Sequence, residues 1–225
     1  MIPLWLRAIV LSLILISNAS AHEVFGTVEV ILKGDKKKPD LSTVFVYLEP
    51  AVGNFKTPED IIKRNYTMAT KNKQFTPRSL AVPVGAGVQF PNFDSIFHNI
   101  FSVSAPNRFD LGLYKGGASK TQVFQQPGIV KVFCNVHPQM SATIVVAGTP
   151  FYTLADRQGN FTLGDIPIGS YQLRAYSDEG QAMKNITAGD KEVQVKLTID
   201  GRSFKKARHK NKFGKDYSTD ENERY

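Results

Sequence analysis

Apolar and polar residues alternate with a period of two along much of this chain. In Val193-Gln194-Val195-Lys196-Leu197 the valines and leucine fall on one face and the polar side chains on the other. That is the pattern of a half-buried β-strand. Strand-like runs also cover Val24 to Leu32, Val44 to Leu48, Leu80 to Val82, Val88 to Phe90, Val130 to Phe133 and Thr143 to Val146. A last group comprises Asn160 to Leu163, Tyr171 to Ala175 and Val193 to Leu197. One segment breaks the pattern. Thr57-Pro58-Glu59-Asp60-Ile61-Ile62 offers an N-cap threonine, Pro at the first helical position and early acids, which predicts a short helix. Gly and Pro punctuate the gaps. The expected fold class is all-β: two small sandwiches.

Hydropathy changes the picture at the ends. Leu4 to Ile16 is apolar apart from Arg7 and Ser12, too short for the ~20 residues of a membrane span. Ala19-Ser20-Ala21 is an A-x-A cleavage site, so 1–21 reads as a signal peptide with a mature start at His22. The expectation is a periplasmic or secreted protein with no membrane span after cleavage. No cysteine follows the cleavage site, which argues against a lipid anchor. The 42% hydrophobic and 21% charged residues are globular figures. The formal net charge is +8, and the tail 201–225 carries eight Lys/Arg against four Asp/Glu. Such a run reads as a solvated, disordered end. No RNP, zinc-finger or helix-turn-helix pattern points to nucleic acid.

Candidate chemistry concentrates in Phe133-Cys134-Asn135-Val136-His137-Pro138-Gln139-Met140. A thiol, an imidazole and a thioether fall within seven residues, directly after a strand. Soft sulfur ligands with imidazole suit copper. A second imidazole is available at His98, in Asn92-Phe93-Asp94-Ser95-Ile96-Phe97-His98-Asn99. His98, Cys134 and His137 with a weak axial Met140 make the blue-copper donor set. Cys134 is the one cysteine, so no intramolecular disulfide forms, and an exported lone thiol is exposed to oxidation unless a metal holds it. The plainer alternative is a buried structural cysteine beside two incidental residues. Phe93, Phe97, Phe101 and Phe133 crowd these positions in sequence. They read as a water-excluding wall or as ordinary sandwich core.

Two family resemblances follow from these residues. Cys134-x2-His137-Pro138-x-Met140 resembles the ligand loop of the short-loop, amicyanin-like cupredoxins. Tyr66-Thr67-Met68, Phe75-Thr76-Pro77, Val82-x-Val84-Gly85, Val88-x-Phe90-x-Asn92 and His98-Asn99 resemble the strands leading to the first histidine of plastocyanin and amicyanin. The resemblance covers about 65–147. It implies one type 1 copper ion on His98, Cys134, His137 and Met140, with Asn99 bracing the ligand loops. The stretch FDLGLYKGGASK has no match there. Asp156-x-x-Gly159-x-Phe161 followed by Pro167-x-Gly169-x-Tyr171-x-Leu173 resembles the carboxypeptidase regulatory-like domain, a transthyretin-like sandwich. The stretch 150–200 is too short to complete it. The missing strands resemble 24–48, so 22–50 and 150–200 are expected to form one sandwich split around a cupredoxin at 51–149. The rival is two consecutive domains, 22–147 and 148–200. The arrangement as a whole is similar to bacterial exported methylamine-utilization-like proteins.

The function expected from this is a one-electron carrier that docks a redox partner, such as a c-type cytochrome or a dehydrogenase, where His137 emerges. The alternatives are copper delivery, or a binding module whose copper site is secondary. An enzyme is not expected. A second copper site needs further histidines, and only His22 and His209 remain. His22 could chelate through its amine and ring but has no second histidine beside it, and His209 falls in the tail. Neither enters the ligand set, and no catalytic residue is assigned.

Overall fold

Val, Ile, Phe and Thr dominate the strand-like runs, and they are the residues that fit a pleated, half-buried surface. The computed structural model describes residues 22–205 and 209–217. The segment read as a signal peptide lies outside them. The chain opens with β1 (Val24–Leu32), β2 (Lys36–Lys37) and β3 (Phe45–Pro50). A short helix, α1 (Glu59–Ile62), follows. Pro58 sits at its cap and no side chain caps it, so Thr57 does not take the expected role. Then come β4 (Tyr66–Thr67), β5 (Ala69–Lys71), β6 (Gln74–Thr76), β7 (Ser79–Pro83) and β8 (Gly87–Pro91). They are followed by β9 (His98–Ser102), β10 (Phe109–Tyr114), β11 (Ser119–Val123), β12 (Gly128–Cys134) and β13 (Ser141–Ala147). The chain continues with β14 (Tyr152–Leu154), β15 (Asn160–Leu163), β16 (Gly169–Ser177), β17 (Gly180–Ala188) and β18 (Val193–Asp200). The architecture is all-β, as the alternation predicts.

Two cores organise these strands. One gathers Val24, Val28, Val30, Val44, Val46 and Leu48 from the early strands with Phe161, Leu173, Val195, Leu197 and Ile199 from the late ones. Its sheets run β15-β1-β18 and β14-β3-β16-β17. β1 lies parallel to β18 over eight residue pairs, with Gly26 opposite Val195. A Cβ at Gly26 would fall 1.7 Å from the Val195 carbonyl oxygen, so only glycine permits this approach. The other core lies wholly within 68–146 and includes Phe75, Phe90, Ile100, Phe124, Val132 and Ile144. Its larger sheet runs β10-β9-β12-β13-β7, with β11-β8-β4 and the β5-β6 hairpin beside it.

β13 joins the two. Ala142, Ile144 and Val146 enter the 68–146 core, while Val145 and Ala147 pack with Phe45 of β3 in a third cluster. Burial on both faces explains why Ile144 to Ala147 reads as a continuous apolar run rather than an alternating one. Lys131 of β12 also pairs with Asp178, in the turn between β16 and β17.

The tail departs from expectation. His209, Lys212 and Tyr217 lie part-buried against the loop between β12 and β13, while 210 and 213–216 stay exposed. His209 stacks on Phe133, with ring centroids 4.2 Å apart. A charge count does not reveal these contacts, because beside one ion pair, Lys212 with Asp110, they are ring stacking and hydrogen bonds.

Candidate metal centre

β12 ends at Cys134, where its inward face carries Val130, Val132 and the thiol, all fully buried. β9 begins at His98 and is buried along its whole length. Cys134 stands opposite Ile100 in the ladder, which brings the start of β9 beside the end of β12. The loop that follows is short and closed on itself. The Met140 N–H donates to the His137 carbonyl at 3.0 Å and the Cys134 N–H to the Met140 carbonyl at 3.4 Å. The Asn135 N–H donates to the Asn99 carbonyl at 3.1 Å, tying the loop to β9.

This folding brings three of the expected residues together. His98 Nδ1 and His137 Nδ1 each lie 3.7 Å from Cys134 Sγ. The two imidazoles meet at 61°, with centroids 4.9 Å apart. The three donor atoms lie within 4.8 Å of one another and all three residues are buried. Met140 is buried at the end of the same loop, in the core that holds Cys134. The donor set fits a metal ion. Sulfur and nitrogen bound to one ion at ~2.3 and ~2.0 Å can stand no further apart than their summed bond lengths, and 3.7 Å satisfies that limit.

Burial pushes the Cys134 thiol up, against backbone N–H groups of Val136, Asn99 and His137 that favour the thiolate. A cation bound to these donors would hold the sulfur ionised. Burial also pushes His98 down, with Asp94 opposing it. Neutral imidazole is the form that binds metal.

Asp94 is the residue that the sequence reading passes over, although it stands four places before His98. Its Oδ2 lies 2.8 Å from His98 Nε2, which leaves Nδ1 facing the sulfur. A carboxylate on the far nitrogen fixes both ring orientation and tautomer. Asp94 is itself held: it accepts the N–H groups of Asn72 and Lys73, at 2.6 and 3.0 Å, in the β5–β6 turn. Burial alone would raise its carboxyl, but the hydrogen bonds from Lys73, His98 and Asn72 outweigh it and bring it below the usual range. Asn92, fully buried, spans the loop by accepting from Thr70 Oγ1 and the Asp94 N–H and donating to the Ile96 carbonyl. Gly116 passes so close that a Cβ there would lie 2.1 Å from the Asp94 carbonyl. The unmatched stretch FDLGLYKGGASK thus supplies β10 and the turn that backs the Asp94 loop.

Other expectations shift. Asn99 reaches the ligand loop through its backbone carbonyl, while its side chain donates to Asp110 Oδ1 at 2.6 Å. Phe93 and Phe97 are 66% and 46% exposed and form no wall around the donors. Phe101 is buried and stands opposite Phe133 in the ladder, on the face away from the thiol. His22 lies apart, its carbonyl accepting from the Ile166 N–H. His209 and Tyr217, read as tail, touch the ligand loop from outside. His209 Nε2 lies 2.6 Å from the Pro138 carbonyl, and the Tyr217 hydroxyl donates to the Cys134 carbonyl at 2.8 Å.

No protein-family model matches this chain, and no curated protein matches it. Solved structures do. A purple cupredoxin from Nitrosopumilus maritimus is 25% identical over 37% of this chain and 100% of its own, with a TM-score of 0.33. A copper-containing nitrite reductase from Thermus scotoductus SA-01 is 25% identical over 44% of this chain, with a TM-score of 0.36, and this chain spans 25% of that enzyme's length. A reduced amicyanin mutant is 18% identical over 45% of this chain and 99% of its own, with a TM-score of 0.36.

Proposed function

We propose that His98, Cys134, His137 and Met140 hold one type 1 copper ion, and that the protein is an exported one-electron carrier. The observation that carries the reading is a buried thiol with two imidazole nitrogens at 3.7 Å, on a short loop that ends in a buried methionine. Cysteine with two histidines and a weakly bound thioether is a donor set that suits copper. When bound there, copper supplies one-electron chemistry between Cu(II) and Cu(I). The chain's own residues do the rest. Asp94 holds His98 by its far nitrogen, the loop hydrogen bonds hold His137 and Met140 in place, and the core around Cys134 excludes water. Rigid donors suit electron transfer, because little has to reorganise between the two oxidation states.

The 22–50 and 150–200 strands, with their shared core, are read as a carboxypeptidase regulatory-like module with a binding or scaffolding role. Periplasmic or secreted placement rests on the reading of 1–21. Among the described residues, no helix is long and apolar enough to cross a membrane. The partner is read as a c-type cytochrome or a dehydrogenase.

The test is optical. Copper-loaded protein should show an intense visible thiolate-to-Cu(II) band, and Cys134→Ser should abolish it; a Cys134→Ser protein that keeps the band sinks the site. Mixing reduced protein with an oxidised c-type cytochrome then separates carrier from delivery. Fast cytochrome reduction with copper retained supports the carrier. Copper passing to an acceptor protein without electron transfer rejects it.

A further inference from the structure

The segment 209–217 meets the ligand loop at three residues that flank His137. The Tyr217 hydroxyl donates to the Cys134 carbonyl at 2.8 Å. The Lys212 N–H donates to Asn135 Oδ1 at 3.0 Å. His209 Nε2 lies 2.6 Å from the Pro138 carbonyl, the residue after His137. His209 also stacks on Phe133, one residue before the thiol, at an interplanar angle of 20°. Phe133 and Cys134 point to opposite faces of β12 by strand alternation, so the segment covers the outside of the strand end whose inside carries the sulfur.

The segment is shaped for this contact. Asn211 Oδ1 accepts the N–H groups of Phe213 and Lys215, and the Asn211 N–H donates to the Lys215 carbonyl. Gly214 takes a φ of +74° to close the turn. The turn sets its two ends side by side, with Tyr217 edge-on to His209 at 5.3 Å and its hydroxyl 3.1 Å from Nδ1. Lys212 Nζ reaches Asp110 Oδ2 at 2.8 Å. Asp110 in turn accepts from Asn99, whose carbonyl holds the Asn135 N–H. Asp110 and Asn99, hydrogen-bonded to each other, thus link one anchor of the segment to one anchor of the loop.

We infer that residues 209–217 are a strap that holds the Cys134–Met140 loop in its ligating shape, with His209 and Tyr217 as positioning residues. The strap supplies donors to carbonyls on both sides of His137. Without it the loop keeps its internal hydrogen bonds but loses its outer support, and Cys134 opens to solvent more often. The inference deepens the copper reading and rests on it only for its metal-loaded consequence.

The experiment uses the full mature chain and three variants: Tyr217→Phe, His209→Ala and Lys215→Ala. The first readout needs no copper: the rate at which a maleimide alkylates Cys134 in metal-free protein. Losing a net hydrogen bond to a loop carbonyl should raise that rate about three- to ten-fold in Tyr217→Phe and in His209→Ala. Lys215→Ala, whose side chain stands exposed, should react like wild type. Global stability should fall by no more than the free energy of that fold-change, since the bond is absent from the opened and the unfolded chain alike. The second readout is copper-loaded protein, where the first two variants should lose metal to a chelator faster, by a similar factor, with a shifted visible band. Unchanged alkylation in both variants overturns the strap. So does alkylation whose rate climbs with low denaturant as steeply as global unfolding does, because Cys134 would then be reached through the unfolded chain and not by local opening. If alkylation rises as expected and no copper binds, the copper reading falls and the strap stands. If the visible band forms and the variants match wild type in both assays, the strap falls alone.

Discussion

His98 is held by a carboxylate that is held by a turn. Asn72 and Lys73 both adopt a left-handed backbone, at φ +54° each, and present their N–H groups to Asp94. Asp94→Asn keeps the size of the side chain but removes its charge and one acceptor. Loss of such an outer partner typically weakens metal affinity 10- to 100-fold. Asp94→Asn protein should therefore release copper to a competing chelator at a correspondingly lower concentration, and the metal-free form should melt somewhat lower because a turn N–H loses its acceptor. Equal affinity would mean that Asp94 does not orient His98. The legibility of the site follows sequence distance. Cys134, His137 and Met140 fall in one seven-residue run, and His98 announces itself beside Asn99. Asp94 lies only four residues before His98, but its role depends on a turn about twenty residues earlier. His209 and Tyr217 lie more than seventy residues from the loop they touch, in a stretch whose composition points to solvent.

Among the elements, strands with an apolar face were legible and strands without one were not. β17 spans Gly180–Ala188 with Met183 and Lys184 exposed and only Ile186 and Ala188 buried. Its sheet edge needs few apolar positions, so its pattern is nearly silent. β10 is interrupted by a register shift between Asp110 and Leu113 that blurs the period of two. Pairing is a further step that periodicity does not carry. Only the shortage of strands in 150–200 points back toward 24–48. The β1–β18 contact itself is visible in one residue, Gly26. Gly26→Ala should push the two strands apart, and since the obstacle is backbone, a loss of more than about 2 kcal/mol in denaturant unfolding is expected. A variant as stable as wild type would mean that β1 and β18 can separate without cost. The same strands carry a pH dependence. Lys37, then Lys196, hold the Glu29 carboxyl down to about 2, against its ordinary 4.5. A carboxyl with a lowered folded-state pKa stabilises the fold above its ordinary pKa, and that contribution fades as pH falls from about 4.5 toward 2. Wild type should therefore lose melting temperature over that window more steeply than Glu29→Gln, and the two curves should converge near its foot. Parallel curves would mean that the three charges are fully screened by solvent.

At the scale of the whole molecule, one sandwich carries the donors and the other carries β1 and β18, and the third cluster decides how they behave together. Phe45 is fully buried where β3 meets β13, against Val145 and Ala147, with Tyr47 stacked at 5.0 Å and Tyr152 at 5.9 Å. None of these residues touches the ligand loop, yet β13 begins one residue after Met140. Phe45→Ala removes a buried ring from a close-packed junction, which typically costs about 3–5 kcal/mol when the surroundings cannot collapse. The midpoint of denaturant unfolding should fall accordingly, as followed by far-ultraviolet circular dichroism. The donors, in contrast, are set by the loop, by Asp94 and by the strap, and none of these includes a residue of the Phe45 cluster. Folded Phe45→Ala protein should therefore bind copper with an unchanged visible band and an unchanged reduction potential, despite its lower stability. A shifted band would show that the junction bears on the ligand loop through β13. The second sandwich would then be tuning the site as well as stabilising the chain that carries it.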